Sequence, residues 1–409
     1  MCRSSAAPSS LSLPHQLPSA ARKALRLLGN LQFGTLHIQL PDSSQLQLGN
    51  GQQPHATMQL RNWNVFEAVL RSGDIGFAET YIADDWRTSD LAALLQLFIR
   101  NRNHLESLVY GSWWGSLAYR LHHLLQRNTR AGSQRNIRAH YDLGNDFYAL
   151  WLDPSMLYSS AWFKGDLTGD LTAAQCAKVR RALQQANVQA GDRVLEIGCG
   201  WGALAEIAAQ EFQAKVTGLT LSVEQLAWAE ARLHRNNIAP RPALRLQDYR
   251  DVQDESFDAI CSIEMVEAVG EAYWPEYFNT IARLLKRGGR ACLQSIVIDD
   301  ALFERYRAGT DFIQQYIFPG GCLPSPSRFR AAAQQAGLRV AEEFAFGADY
   351  AETLRRWHHS FAQQHTAVMA LGFDEAFIRT WTFYLAYCEA AFDSRNIDVV
   401  QYTLVKDGD

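Results

Sequence analysis

Residues Val194-Leu195-Glu196-Ile197-Gly198-Cys199-Gly200-Trp201-Gly202 put glycine at every second place directly after a short apolar run, and Ala203-Leu204-Ala205-Glu206-Ile207-Ala208-Ala209 continues as a helical pattern. A strand that ends in such a turn lets a ligand lie against bare backbone, because glycine carries no side chain and adopts positive φ without cost. The free amides at the start of the following helix add a partly positive field. A turn of this composition can also serve only to pack a helix onto a strand, so its surroundings decide between the two roles.

The spacing is Gly-x-Gly-x-Gly, one residue shorter than the Gly-x-Gly-x-x-Gly of dinucleotide-binding turns. Glu196 stands just before the turn, where a pyrophosphate would be repelled. A cofactor with a cationic end and no phosphate fits these charges better. S-adenosylmethionine, with its sulfonium, amino acid and adenosine parts, is such a cofactor.

The rest of the carboxy-terminal half repeats the theme. Strand-like runs at Arg193–Ile197, Lys215–Leu219, Ala243–Leu246, Phe257–Ile263 and Ala291–Ile298 alternate with helical runs at 203–212, 222–236 and 272–286. That alternation predicts an α/β, doubly wound, Rossmann-like parallel sheet with its ligand at the carboxyl ends of the strands. Leu338–Phe346 and Val399–Val405 read as the last two strands. The aromatic-rich insert at 299–330 and the helices at 350–392 exceed what a minimal sheet needs and are expected to form a helical lid over a substrate.

Upstream, residues 29–108 alternate strand-like pieces (Thr35–Leu40, Ala56–Leu60) with helical ones (Asn64–Ser72, Ser89–Arg100) and read as a small amino-terminal α+β domain. Residues 1–28 read as a mobile tail, 109–138 as a basic amphipathic linker, and 139–409 as the catalytic domain. The stretch from Gly111 to His140 holds Arg120, Arg127, Arg130, Arg135 and Arg138 with no Asp or Glu, and Trp113, Trp114, Leu117, Leu121, Leu124 and Leu125 recur at near-helical spacing. Such a segment suits an anionic bilayer surface, and equally an interdomain helix with its apolar face packed and its arginines in water.

At 409 residues, with 47% hydrophobic and 20% charged residues, the chain can bury two cores. A net charge of −4 gives no sign of nucleic acid, and the seven cysteines lack metal-ligand spacing, so no metal is expected and reduced, cytoplasmic thiols are the plain reading. No apolar run approaches the ~20 residues of a membrane span, and no secretory signal is visible.

Several separated motifs together resemble the cyclopropane-fatty-acyl-phospholipid synthase family of S-adenosylmethionine-dependent methyltransferases. They are His140-Tyr141-Asp142-Leu143-Gly144-Asn145-Asp146-Phe147-Tyr148, Leu152-Asp153-Pro154-Ser155-Met156-Leu157-Tyr158-Ser159-Ser160-Ala161, the glycine turn, Leu219-Thr220-Leu221-Ser222, Glu264-Met265-Val266-Glu267-Ala268-Val269-Gly270, Tyr316-Ile317-Phe318-Pro319-Gly320-Gly321-Cys322-Leu323-Pro324-Ser325 and Gly347-Ala348-Asp349-Tyr350. The likeness is strong over 135–405 and weaker over 29–108, where Tyr81-Ile82-Ala83-Asp84-Asp85-Trp86 is similar to the family's amino-terminal domain; it implies lipid docking or dimerisation for 29–108 and an S-adenosylmethionine-dependent methyltransferase domain at 139–409. It implies methyl transfer from S-adenosylmethionine to the cis double bond of unsaturated acyl chains in membrane phospholipids. A carbocation then forms, a bound bicarbonate removes a proton, and a cyclopropane ring closes. The setting implied is cytoplasmic, peripheral at the inner membrane face, with transient membrane contact and a homodimer as an open option. Acyl methylation that leaves a methyl or methylene branch, a small-molecule methyltransferase on the same fold, and a non-catalytic lipid-binding relative are the alternatives.

Carried over by position, the resemblance puts Tyr158 and Ser159 near the sulfonium and Gly198, Gly200 and Gly202 under the amino acid part of the cofactor, next to Glu196. Thr220, Leu221 and Gln225 fall by the ribose, and Asp248 and Tyr249 near adenine. From the residues alone, Asp248 could equally cap a turn, and Gln225 on an amphipathic helix would face solvent. Glu267 is expected to orient the base, although a carboxylate at a helix start is favoured by the dipole alone. Tyr350 matches a bicarbonate-contacting tyrosine, and Ile296 a position whose backbone lines the same pocket. Ser160 and Gln294 stand where many members have Cys and His. Both can donate hydrogen bonds to a small anion, but Gln294 cannot carry the positive charge that His can. For an apolar acyl tunnel the candidates are Trp162, Phe163, Phe312, Tyr316, Phe318, Tyr384 and Tyr387.

Overall fold

A computed structural model describes residues 17–105, 143–238 and 242–407. The chain divides into two units, 1–118 and 119–409. The linker expected at 109–138, the basic segment at 111–140 and the start of the His140 motif lie outside the described residues.

In the first unit β1 (Thr35–Gln39) pairs antiparallel with β2 (Gln45–Gly49) and parallel with β3 (His55–Leu60), and β4 (Trp86–Arg87) closes the sheet beside β3. β3 alternates exposed and buried residues along its whole length, so Ala56, Met58 and Leu60 form one apolar face. The helix Asn64–Ile82 bends at Gly73 (φ 59°). Trp86 is fully buried, stacks on Phe77 at 4.2 Å and donates to the Thr80 hydroxyl at 3.1 Å. Residues 1–28, expected as a tail throughout, include the helix Ser19–Leu28. It forms because Ala21, Ala24, Leu25 and Leu28 share one face and are buried.

The second unit carries seven strands: β5 (Arg193–Ile197), β6 (Lys215–Thr220), β7 (Ala243–Leu246), β8 (Phe257–Ile263), β9 (Leu285–Ile298), β10 (Arg339–Ala345) and β11 (Ile397–Val405). Their order is β10-β11-β9-β8-β5-β6-β7. Strands β5 to β9 are mutually parallel, as the alternation predicts. β11 runs antiparallel to both β9 and β10, so the sheet is mixed at that edge.

Both faces of this sheet are covered, as parallel strands require. On one face Val194, Val216 and Cys261 pack with Val179, Ala182 and Leu183 of the helix Leu171–Gln185 and with Leu204, Ile207 and Ala208 of the helix Ala203–Glu211. On the other, Leu195, Ile197, Ile260 and Leu293 pack with Tyr277, Phe278 and Ile281 of the helix Trp274–Leu284 and with Phe329. Each fully buried Val, Leu, Ile or Phe among them contributes about 1.5–3 kcal/mol. From β5 the chain continues to β6 on one side, while β8 lies on the other. The carboxyl ends of β5 and β8 therefore flank the switch point, where ligands of open α/β sheets bind. The helices Gly347–Ala362 and Glu375–Asp393 pack on each other and against β11.

Candidate active site

At the end of β5 the amides of Gly198 and Cys199 both donate to the Leu219 carbonyl, at 3.0 and 2.8 Å, which turns the chain sharply away from the sheet. Gly198 has φ 84°, and a Cβ there would lie 2.4 Å from Met265 Sδ. At Gly202, also φ 84°, a Cβ would meet that of Ala229 at 2.9 Å. These two glycines are demanded by packing. Gly200 differs: a Cβ there would meet nothing within 4 Å, so its backbone is open to a ligand.

Glu196 lies beneath this turn, buried, and its Oε2 has no hydrogen-bond partner. Burial pushes its pKa up to about 8, against one backbone hydrogen bond from Ala205. An orphaned acid under an open backbone fits a cofactor whose amino acid end carries an ammonium. The turn is also tied to the preceding segment, because Trp201 Nε1 donates to Asn145 Oδ1 at 2.7 Å.

Next along the sheet, Thr220 donates to Gln225 Oε1 at 2.9 Å, and both are buried. Gln225 thus does not face solvent; the Ser222 cap turns the helix Val223–Arg235 so that Gln225 points inward. Leu221 follows β6 and is half-buried. Asp248 caps the turn Tyr249–Asp251, and both its oxygens accept from the Arg250 guanidinium, at 2.9 and 2.5 Å. This is the capping role that its residue type allows. Tyr249 packs edge-on against Tyr277 at 5.3 Å.

The most concentrated chemistry lies at the end of β8. The first residue past that strand, Glu264, adopts φ 54°, a left-handed conformation rare outside glycine. Its Oε1 accepts from the Ser160 amide at 2.9 Å and from Gln294 Nε2 at 2.8 Å, and its Oε2 accepts from the Tyr350 hydroxyl at 2.7 Å. The contact at residue 160 is its backbone amide. The Ser160 hydroxyl turns to the Ala161 carbonyl instead, so serine in place of cysteine costs the site nothing. Gln294 faces Gln401 across β9 and β11, and its Oε1 accepts from Gln401 Nε2 at 3.0 Å, so its amide can only point its donor at Glu264.

Three residues that the resemblance assigned to an external anion therefore converge on a carboxylate of the chain. A bicarbonate would find these donors taken and two acids beside it, and the residues present do not fit one. Glu267, expected to orient the base, accepts from the Ile296 amide. Burial, and then the charge of Glu264, push its pKa up to about 8. Burial also raises Glu264, opposed first by the charge of Lys178 and then by its three hydrogen bonds.

Lys178 is fully buried on the helix Leu171–Gln185 and donates to Ser159 Oγ at 2.5 Å. Burial lowers its pKa to about 8, with Glu264 the strongest opposing charge. The sequence reading passed over both Glu264 and Lys178. A lysine in the buried stripe Ala174-Ala177-Lys178-Ala182, and an acid at the carboxyl end of a central strand, were the signals available.

An aromatic wall stands beside this cluster. Tyr158 packs against Tyr148, Trp151 and Trp357 with ring centroids 5.4–5.6 Å apart, and its hydroxyl pairs with that of Tyr384 at 2.7 Å. The helix Gly347–Ala362 anchors the 158–163 segment: Thr353 Oγ1 accepts from the Ala161 amide at 3.1 Å and Asp349 Oδ1 from the Phe163 amide at 2.5 Å.

Of the acyl candidates, Phe312 packs on Tyr316 (5.4 Å) and Tyr387 (6.1 Å), and Phe318 on Tyr384 (6.1 Å), so these five gather along the helix Glu375–Asp393. Trp162 lies apart, edge-on to Phe344 of β10 and near the Arg181 guanidinium. Phe163 is buried with Ala161 and Ala174. Neither ring packs on the five that gather along the helix Glu375–Asp393. Among the described residues no helix is long and apolar enough to cross a membrane.

The model of the mycolic acid cyclopropane synthetase family matches residues 128–402. The tuberculostearic acid methyltransferase of Mycobacterium tuberculosis is 40% identical over 349 residues, which cover 83% of this chain and 81% of that protein. The cyclopropane-fatty-acyl-phospholipid synthase of Escherichia coli is 33% identical over 353 residues, 86% of this chain and 88% of its own. The solved structure of the mycolic acid cyclopropane synthase CmaA1, complexed with SAH and CTAB, superposes with a TM-score of 0.62 at 31% identity, over 66% of this chain and 97% of that one. With the glycine turn, the buried acid beneath it and the mixed seven-stranded sheet, these matches identify the chain as a member of the mycolic acid cyclopropane synthetase family of S-adenosylmethionine-dependent methyltransferases.

Proposed function

We propose that this chain methylates the cis double bond of an unsaturated acyl chain in a membrane phospholipid and closes a cyclopropane ring. The observation that carries this reading is the acid cluster at the end of β8, set beside an aromatic wall and next to the glycine turn. An alkene is a weak nucleophile with no proton to surrender before it attacks. A base inside the site therefore has work only afterwards, when the carbocation must lose a proton. The faces of Tyr158, Trp357 and Tyr384 stabilise such a cation, and their packing keeps out the water that would trap it.

In this reading S-adenosylmethionine, when bound, supplies the electrophilic methyl. Glu196 and the open backbone at Gly200 hold its amino acid end, with Gly198 and Gly202 shaping the turn. Tyr158 and Ser159 flank the sulfonium, Thr220, Leu221 and Gln225 the ribose, and Tyr249 the adenine. Phe312, Tyr316, Phe318, Tyr384 and Tyr387 hold the acyl chain against the reacting carbon, and Tyr350 and Gln294 fix the carboxylate. The name of the Escherichia coli relative supports the phospholipid substrate and the ring, and a lipid substrate requires transient contact with a membrane surface.

A second reading, a branched product without ring closure, is favoured by the 40% identity to a relative named a tuberculostearic acid methyltransferase rather than a cyclopropane synthase. Mass spectrometry of lipids from cells expressing the chain separates the two. The expected result is one added CH2 per unsaturated chain, with fragmentation showing a ring. Fragmentation at a branch supports the second reading, and unchanged lipids contradict both.

A further inference from the structure

We propose that Glu264 replaces a dissolved anion in this enzyme: its carboxylate is the resident proton acceptor, and turnover needs no bicarbonate. The inference rests on the methylation reading above and concerns the step after methyl attack. The C–H electron pair of the newly attached methyl forms the third bond of the ring. The proton passes to a Glu264 oxygen, which becomes a neutral carboxylic acid and returns the proton to solvent when the site opens. No oxidant, reductant or further reactant enters.

Four observations support it. First, the donors around Glu264 are those of a built anion site: a backbone amide, a side-chain amide and a phenol, all at 2.7–2.9 Å. Second, all of these donors are neutral. A site that must capture a free anion from water gains from a fixed positive charge, and the Gln294 amide cannot supply one. A carboxylate tethered to the chain needs no capture, because its effective concentration is set by the fold. Gln401, itself held by Arg181 at 2.7 Å, locks that amide in its donor orientation.

Third, Glu264 holds φ 54°, a left-handed backbone conformation that a non-glycine residue keeps only when its surroundings impose it. Its amide donates to the Gln294 carbonyl at 2.7 Å, which fixes that conformation beside the donor it uses. Fourth, the two acids of the motif are not equivalent. Both oxygens of Glu264 accept hydrogen bonds and Lys178 is its strongest favourable charge, whereas Glu267 has no cation among its influences and its Oε2 has no hydrogen-bond partner. Glu264 is therefore the acid whose surroundings favour a carboxylate. Both acids keep part of their surface accessible. Met265, the next residue, occupies the space where a Gly198 side chain would be, so the residue after Glu264 packs on the glycine turn.

The test uses the full-length chain, S-adenosylmethionine and vesicles of unsaturated phospholipid, in buffer freed of carbon dioxide and again with bicarbonate added. The wild type is expected to turn over equally in both. Glu264→Gln should lose about 10²- to 10⁴-fold of turnover, the range for removal of a general base, while cofactor affinity, read by titration, shows that the fold persists. Glu264→Gly opens the same donors to a free anion, and added bicarbonate should restore part of its turnover in a saturable way. Wild-type turnover that collapses without bicarbonate would overturn the proposal and leave the methylation reading intact, as would near-normal turnover of Glu264→Gln. A wild type that binds cofactor but never modifies unsaturated phospholipid overturns the reading and the proposal together.

Discussion

The carboxyl ends of β5 and β8 flank one switch point, yet they build their sites by opposite means. At β5 the working surface is backbone: glycines at 198, 200 and 202, with one buried acid below. At β8 it is side chain, a carboxylate held by residues 160, 294 and 350, drawn from three distant parts of the chain. The first kind of site is written locally, because only glycine satisfies the close approach and positive φ. The second exists only once the sheet and the helix Gly347–Ala362 have come together.

The contrast predicts unlike responses to substitution. The largest belongs to the turn. Gly198→Ala would place a methyl 2.4 Å from Met265 Sδ at φ 84°. It should cost about 1–3 kcal/mol of stability from overpacking and strain. Because Met265 adjoins Glu264, it should also displace both sites, so thermal unfolding and cofactor titration should fall together. Cofactor binding close to wild type would show that the two ends are independent.

Tyr350→Phe comes next. It removes one hydrogen bond to an ionised group, worth about 1.5–3 kcal/mol and so roughly 10- to 100-fold in turnover. Cofactor affinity should stay unchanged, because the substitution keeps the ring and removes only the hydroxyl that donates to Glu264. A matching loss of cofactor affinity would break the separation.

The smallest effect is one of pH. Glu196 sits at about 8 in the folded protein against an ordinary 4.5. The folded state thus holds this proton more tightly than the unfolded chain. The associated stability is complete below pH 4.5 and is lost as pH rises through about 8. Glu196→Gln should flatten that decline in melting temperature for the cofactor-free protein. Binding of a cationic cofactor end should favour the ionised acid, so wild-type affinity should rise with pH toward 8. A decline equally steep in the variant would remove Glu196 as its source.

What the sequence disclosed follows the same division. β5, β7 and β8 match their expected limits because each is a short apolar run bounded by turn residues. β9 begins earlier than expected, at Leu285, through the polar stretch Lys286-Arg287-Gly288-Gly289-Arg290, which no apolar pattern marks. The antiparallel run of β11 depends on how the final helices return the chain, and periodicity does not carry direction. The helix Ser19–Leu28 was legible in its alanine and leucine spacing but hidden by the polar composition of the residues before it.

At the site, the glycine turn was plain from spacing alone. Glu264 and Glu267 lie three residues apart in one motif, and nothing local says which acid meets Tyr350. Register decides it: Ile263 pairs with Gln294, so the residue after Ile263 is the one that reaches the Gln294 amide. Lys178 was passed over because a lysine on a helix normally faces water, and here the helix turns it inward to Ser159.

The most direct test follows the fate of the transferred methyl. With S-adenosylmethionine deuterated at its methyl group and unsaturated phospholipid vesicles, a base that acts on the new methyl leaves two of its three deuterons in the lipid product. The account predicts that retention. A lipid product that keeps all three would mean the proton leaves from elsewhere on the chain, and would contradict it.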